Sequence, residues 1–296
     1  MPGKIFLSLD CEGLWGSCDV LGPKFDAINQ TTLFRVYKEL AALLMPHGAG
    51  ATFAITGLFS RPAECFGEYE EHLIRFTPQS AGWYGFVLRE WKRRHGEGFH
   101  LPEIGDLVCK NPRNKVWQHG LTHMPAGRDV PEDLLIYEYT EAARVLSRLS
   151  KYEPGIIFPR NEAASASVLH AVKLGLTRES PEHGINRLIR TFRRLRASTF
   201  SSLNPWRRDA QGVVWFFGGS IPLFPPKYSS VAFGLYSDYL ARSIAEASQR
   251  GETSHIWLHP ENIVFHPQLM DFLQTLLRMA PVQDGVSVVS PLTLDF

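Results

Sequence analysis

The sequence has few cysteines and no long hydrophobic run. Its four cysteines form no C-x-x-C pair, and a chain of 296 residues is large enough to fold without disulfide bonds. Apolar stretches such as 5–9 and 213–219 have the length of buried strands. A membrane helix needs about 20 apolar residues, so no transmembrane segment is predicted. The N-terminal residues show no apolar region followed by a small-residue cleavage site, which predicts a cytoplasmic protein with reduced thiols.

The chain also lacks an excess of charge of either sign. Lys and Arg total 31 and Asp and Glu total 30, which gives a formal net charge of +1. This balance does not support a nucleic-acid-binding protein that depends on phosphate contacts. The arginine-rich stretch 187–196 is interpreted as a solvated helix face. The alternative is contact with an anionic substrate or a membrane surface.

The composition indicates one globular unit. Hydrophobic residues make up 44% and charged residues 21%, close to an average globular chain. These values exclude a disordered chain, a collagen-like repeat and a coiled coil. Because no internal repeat, low-complexity tract or linker interrupts the chain, we expect a single domain over 1–296. The sequence does not indicate an oligomeric state.

Short apolar segments alternate with amphipathic ones. Strands are predicted at 4–10, 51–57, 115–123, 155–161, 213–219, 254–262 and 286–294. Helices are predicted at 31–48, 130–150, 165–176, 185–198, 236–250 and 267–280. This alternation predicts an α/β barrel of parallel strands with right-handed crossovers. Residues 60–115 predict a helix and an irregular insertion, whose role as a lid, a dimer contact or a substrate wall stays open.

Polar residues stand where four of the predicted strands end, and the carboxyl ends of barrel strands carry the active site. The residues are Asp10 and Glu12, His119 and His123, Arg160 and Asn161, and His259. In a strand, Asp10 and Glu12 point to the same side. Two such carboxylates repel each other unless a cation or a shared proton intervenes, so one can bind metal while the other accepts a proton. The alternative is a pair of solvated acids.

The segment HGLTH (119–123) places two imidazoles four residues apart, a recurrent spacing for a divalent metal. No Glu follows the first histidine, so this is not the H-E-x-x-H metalloprotease signature. Two histidine nitrogens and one carboxylate form a common catalytic metal set. The alternative is a chance spacing, because the chain has 11 histidines.

Arg160 and His259 each follow an apolar run. An arginine at a strand end can hold a carboxylate with two hydrogen bonds, and the alternative is an ordinary salt bridge at the rim. A histidine near the site can protonate a leaving amine, because its pKa lies near the working pH. The alternative for His259 is a structural histidine before a proline.

The order of these motifs resembles the polysaccharide deacetylase family (NodB homology domain, carbohydrate esterase family 4). The motifs are SLDCEG (8–13), HGLTH (119–123), FPRN (158–161) and IWLHPEN (256–262), and ATFAITG (51–57) is similar to that family's second strand. The resemblance covers residues 4 to about 294, except for 60–115. It implies a distorted (β/α)7 barrel and one divalent metal ion, most often Zn²⁺, with Co²⁺, Mn²⁺ or Ni²⁺ as alternatives.

The resemblance also implies roles for individual residues. Asp10 would be the general base, and the metal ligands would be Glu12, His119 and His123. Arg160 would orient the base and His259 would be the general acid. Trp15, Asn161 and Trp257 are the candidate substrate contacts.

The sequence departs from the family pattern at two positions. The family has two adjacent aspartates, whereas here Cys11 separates the acids and the second is Glu12. Gly120 follows the first histidine, where the family usually has Ser or Thr. The family's fourth motif, an acidic residue that tunes the acid histidine, has no assigned counterpart. The division of base and ligand roles between Asp10 and Glu12 therefore stays open.

The resulting prediction is a metal-dependent hydrolase that removes an N-acetyl or related N-acyl group from an amino sugar. The expected substrate is a nucleotide sugar, a lipid-linked precursor or a glycoside. One alternative is a deformylase or another amide hydrolase on the same fold. A catalytically silent carbohydrate-binding protein is an alternative of a different class.

Overall fold

The computed structural model describes residues 5–127, 129–174, 176–178, 201–202, 206–210, 212–216 and 230–279. Their strands form one sheet. The strands are β1 (Ile5–Cys11), β2 (Thr52–Ile55), β3 (Lys115–Gln118), β4 (Tyr152–Ile156), β5 (Leu176–Arg178), β6 (Ser201–Ser202), β7 (Trp206–Arg208), β8 (Val214–Phe216) and β9 (Thr253–Leu258).

Seven strands run parallel in the order β9-β1-β2-β3-β4-β5-β8. Strands β6 and β7 pair antiparallel with the outer edges of β9 and β8. Because Ser202 and Trp206 are four positions apart, they lie within about 14 Å of each other. A short piece of chain therefore joins both edges of the sheet, which curls into part of a barrel. The predicted distorted (β/α)7 architecture is confirmed.

The helices are α1 (Gln30–Leu44), α2 (Gly67–Arg75), α3 (Trp83–Arg94), α4 (Ile104–Cys109), α5 (Glu132–Leu146), α6 (Ala166–Ala171), α7 (Ser230–Gln249), α8 (Asn262–Phe265) and α9 (Gln268–Met279). Helix α1 begins at an N-cap where the Asn29 side chain accepts from the Thr32 N–H and Thr32 binds back to the Asn29 N–H. No helix among the described residues is long and apolar enough to cross a membrane.

The two faces of the sheet have different cores. The large apolar cluster contains alternate strand residues, such as Leu7 and Leu9, together with the buried faces of the helices. A second, smaller cluster contains Phe6, Trp117 and Val214, which lie on the opposite, inner face. Since side chains alternate along a strand, Asp10 shares the inner face with Phe6.

The segment 60–115 differs from the expected irregular insertion. It contains α2, α3 and α4, and these helices bury Tyr69, Tyr84 and Ile104 in the main core. Apolar residues on one face of each short helix stabilise the segment although Pro and Gly interrupt it. The arginine-rich stretch 187–196 and the expected strand 286–294 lie outside the described residues.

Gly155 gives a test of the packing between β3 and β4. A Cβ at Gly155 would lie 2.6 Å from Cδ2 of the buried Trp117 ring. Gly155→Ala is therefore expected to lower the free energy of unfolding by about 1–3 kcal/mol through overpacking. The measurement is urea denaturation. Gly67→Ala in α2 is the control. A Cβ at Gly67 would meet no atom within 4 Å outside its own helix backbone and chain neighbours, so this variant is expected to be neutral or stabilising. Equal stability of both variants would contradict this packing.

Candidate active site

The site lies at the carboxyl edge of the parallel strands. Asp10 is near the end of β1, His119 directly follows β3, and His259 directly follows β9. The register pairs Leu9 of β1 with Leu258 of β9, so the residues after these strands are neighbours. The structure therefore brings together the carboxylates and histidines that the motifs predicted at strand ends.

Glu12, His119 and His123 form a buried group that can hold a metal ion. Glu12 Oε2 lies 2.7 Å from His123 Nε2 and 3.3 Å from His119 Nε2. The three side chains are 10% exposed or less. One oxygen and two nitrogens at these distances are a donor set that suits a divalent transition metal.

The hydrogen bonds of His119 support this assignment. Its Nδ1 donates to the carbonyl oxygen of Ile157 at 2.6 Å, which leaves the lone pair on Nε2. That Nε2 atom is buried and makes no hydrogen bond among the described residues. A buried polar atom without a partner is costly, and a cation bound here would remove the cost. The residues present therefore fit a divalent metal.

The protonation states of Glu12 and His123 also suit metal binding. Burial raises the pKa of Glu12, but the electrostatic effects of the neighbouring histidines, His123 first and then His259, outweigh it. The pKa of Glu12 therefore lies well below its ordinary value. Burial lowers the pKa of His123, against the opposing effect of Glu12. An ionised carboxylate and a neutral imidazole are the forms that bind metal.

Asp10 is paired with Arg178 at the end of β5. Arg178 donates from Nη1 to Oδ1 at 3.0 Å and from Nη2 to Oδ2 at 2.8 Å. Both side chains are almost fully buried. Burial raises the pKa of Asp10, but Arg178, His119 and His259 outweigh it, so the pKa lies below its ordinary value. Arg178 thus holds the carboxylate ionised and in a fixed orientation.

The expected contact between Arg160 and Asp10 is not formed. Arg160 binds Asp19, and its guanidinium lies 5.0 Å from the ring centre of Trp83. In the turn Pro159–Asn161, Arg160 and Asn161 both have positive φ. This turn directs Arg160 to the rim.

Asn161 contacts the site residue Arg178, whereas Arg160 binds Asp19. The Oδ1 atom of Asn161 accepts a hydrogen bond from Arg178 Nη2 at 2.7 Å, and the expected contact of Asn161 with substrate stays a prediction.

His259 and Trp257 line the more open side of the site. The Nε2 atom of His259 lies 3.8 Å from Glu12 Oε1 and 4.0 Å from Asp10 Oδ2, and its side chain is 27% exposed. Trp257 is partly exposed, and its ring centre lies 5.7 Å from that of His259. The Arg178 guanidinium stacks on Trp257 at 4.4 Å.

Trp15 is a core residue and not a rim residue. It is fully buried, and its Nε1 donates to the carbonyl oxygen of Phe99 at 2.5 Å. Its ring packs against Phe66 and edge-on against Phe99. The expectation that Trp15 contacts a sugar is corrected, because its ring and its N–H are both engaged in the core.

Two further buried glutamates, Glu138 and Glu261, were not identified from the sequence. Glu261 belongs to the motif that contains His259, but its role was not assigned. Burial, followed by the charge of Glu12, raises the pKa of Glu261 to about 8. Glu138 lies on the apolar face of α5, between Leu134 and Ala142. An acidic residue on a buried helix face was the signal that could have identified it.

The comparisons with known proteins show a shared fold. No family model and no curated protein matches the chain. The GH57 branching enzyme of Thermococcus kodakaraensis, solved in complex with glucose and additives, matches with a TM-score of 0.52 at 12% identity. The match covers 98% of this chain and 70% of that enzyme. At this identity the likeness shows the fold alone.

Family 4 carbohydrate esterases also match. The enzyme from Streptomyces lividans, in complex with acetate, gives a TM-score of 0.46 at 11% identity, covering 97% of both chains. The esterase from Streptococcus mutans gives 0.43 at 11% identity, covering 94% of this chain and 81% of that one.

Gly16 tests the metal group. It follows Trp15 in a short 3-10 turn, and a Cβ there would lie 2.1 Å from Glu12 Oε1. The flexible carboxylate would have to move, so Gly16→Ala is expected to weaken Zn²⁺ binding by about tenfold or more while the fold persists. Calorimetric titration measures the affinity. Gly22→Ala, with no atom within 4 Å, is the control. Unchanged affinity in Gly16→Ala would contradict the placement of Glu12.

The two arginines offer a matched pair of variants. Arg178→Met leaves Asp10 buried and unpaired, so the free energy of unfolding is expected to fall by about 3–5 kcal/mol. Arg160→Met breaks an ion pair whose arginine side chain is 35% exposed, and about 1 kcal/mol or less is expected. Chemical denaturation measures both values. Similar losses in the two variants would show that the pairing of Asp10 is not as described.

Proposed function

We propose that the protein is a metal-dependent hydrolase that removes an N-acetyl or related N-acyl group from an amino sugar or glycoconjugate precursor. The observation that carries this proposal is the group Glu12, His119 and His123. The partly exposed His259 lies 3.8 Å from Glu12 of this group and 4.0 Å from Asp10, whose lowered pKa favours the ionised form. Metal ligands, a base and an acid within one edge of a barrel are the parts needed for metal-assisted amide hydrolysis.

Glu12, His119 and His123 are the proposed ligands of a divalent cation, with Zn²⁺ the first candidate and Co²⁺, Mn²⁺ and Ni²⁺ the others. When bound, such a cation polarises an acyl carbonyl and lowers the pKa of a water molecule. The carbonyl of Ile157 fixes the ring of His119 for this task.

Asp10 is the proposed general base. Its carboxylate accepts the proton of the attacking water, and it must therefore be ionised at the working pH. The two hydrogen bonds from Arg178 support that role, since they favour the ionised form and fix both oxygens. General-base catalysis of this kind contributes about 10²–10⁴ in rate.

His259 is the proposed general acid. Its Nε2 lies on the accessible side of Glu12 and Asp10, so a proton on this atom can reach a leaving amine. The partly exposed Trp257 next to it offers an aromatic edge to a sugar ring.

The central test is acetate release from a panel of free and nucleotide-linked N-acetylated amino sugars. Asp10→Asn is expected to keep the metal and to lower kcat by a factor of about 10²–10⁴, because only the base is removed. His119→Ala is expected to lose both metal and activity. Loss of metal in Asp10→Asn would show that Asp10 is the metal ligand and Glu12 the general base. Full turnover in His119→Ala would remove His119 from the ligand set.

Other outcomes identify the alternatives. Formate release from N-formylated sugars without acetate release would identify a deformylase. Sugar binding without turnover of any N-acylated substrate, even with metal bound, would identify a silent carbohydrate-binding protein. Acetate release that requires the metal supports the proposal.

A further inference from the structure

Two buried glutamates outside the ligand set each bind two consecutive backbone N–H groups of a loop that carries a metal ligand. We propose that Glu261 and Glu138 are positioning residues that fix these loops in the geometry needed for metal binding. The inference rests on the metal site of the proposed function. It adds residues for which neither the motifs nor the comparisons provide a role.

Glu261 holds the loop that contains Glu12. Its Oε1 atom accepts from the N–H of Glu12 at 3.1 Å and from the N–H of Gly13 at 2.6 Å. The hydroxyl of Tyr37 donates to the same oxygen at 2.9 Å. Glu261 lies two positions after His259, the proposed general acid. Its hydrogen bonds therefore connect the segment that follows β9 to the loop that contains Glu12, the proposed metal ligand.

Glu138 holds the loop between His119 and His123. Its Oε2 atom accepts from the N–H groups of Leu121 and Thr122, each at 3.0 Å. Its Oε1 atom accepts from the Thr122 hydroxyl at 2.7 Å and from the Tyr84 hydroxyl at 2.9 Å. All four hydrogen bonds are buried, and Glu138 is fully excluded from solvent.

Both loops need such an anchor because their backbone is irregular. Gly13 and Gly120 have positive φ, and His123 has φ of 62°. At Gly13 a Cβ would lie 2.6 Å from the carbonyl oxygen of Gly98. The N–H groups in these turns have no strand partner, so side-chain carboxylates satisfy them. Removing a group that orients a metal ligand typically costs 10–100-fold in metal affinity.

Reach and the ability to ionise can be separated by two substitutions at each glutamate. Asp keeps the carboxyl group but shortens the side chain, so its oxygens no longer reach the N–H groups. Gln keeps the reach and one accepting oxygen but cannot ionise. At Glu261 a single oxygen accepts all three hydrogen bonds, so the one amide oxygen of Gln can replace it. At Glu138 the hydroxyls of Thr122 and Tyr84 can rotate and accept from the amide group of Gln.

The experiment is calorimetric titration of the full chain with Zn²⁺, with unfolding temperatures measured in parallel. Glu261→Asp and Glu138→Asp are each expected to weaken Zn²⁺ binding by about 10–100-fold, and the Gln variants by about threefold at most. Glu246→Asp, at an exposed position of α7, is the matched control and is expected to change nothing.

The outcomes separate this inference from the proposed function. If the wild-type chain and the control bind no Zn²⁺, the metal site itself fails. The decisive Asp variants are those with the unfolding temperature of the wild type. If the wild type binds Zn²⁺ and these variants bind it equally well, the proposal that the glutamates position the loops is wrong. A larger loss in the Gln variants than in the Asp variants would also overturn it, because the ability to ionise and not the reach would then matter. Each glutamate provides an independent pair of variants.

Discussion

The structure depends on the neutralisation of buried carboxylates at one edge of a parallel sheet. Asp10, Glu12, Glu138 and Glu261 are all buried near this edge, and an uncompensated charge there would cost several kcal/mol. Each carboxylate has a different partner. Arg178 pairs with Asp10, two histidines face Glu12, and backbone N–H groups and hydroxyls bind the other two. Through these pairings, the two loops that carry Glu12, His119 and His123 are held at this edge of the sheet.

The different partners give the carboxylates different properties. Arg178 lowers the pKa of Asp10 against the effect of burial, so Asp10 is suited to accept a proton. Glu261 has no cationic partner among the described residues, and burial raises its pKa to about 8. Glu12 is the only one of the four that shares its surroundings with two histidine nitrogens at 3.3 Å or less. A chemically varied site thus arises from four similar side chains.

Strand ends were predictable from sequence, but side-chain directions were not. The apolar runs located β1, β2, β3 and β9, and the parallel order then placed Asp10, the HGLTH segment and His259 together. Arg160 was not predictable, because the positive φ values at Arg160 and Asn161 turn it to the rim, and Arg178 in a three-residue strand replaces it. Trp15 follows the site loop in sequence yet packs into the core. The catalytic roles remain predictions, as does the single domain over 1–296.

The measurement that tests the central claim most directly is the metal content of the purified protein by elemental analysis, beside Glu12→Ala and His123→Ala. The account predicts about one divalent metal ion per chain in the wild type and its loss in both variants, because each removes one of three ligands. Absence of metal from the wild type after reconstitution with Zn²⁺, Co²⁺, Mn²⁺ or Ni²⁺, or full retention in both variants, would contradict it.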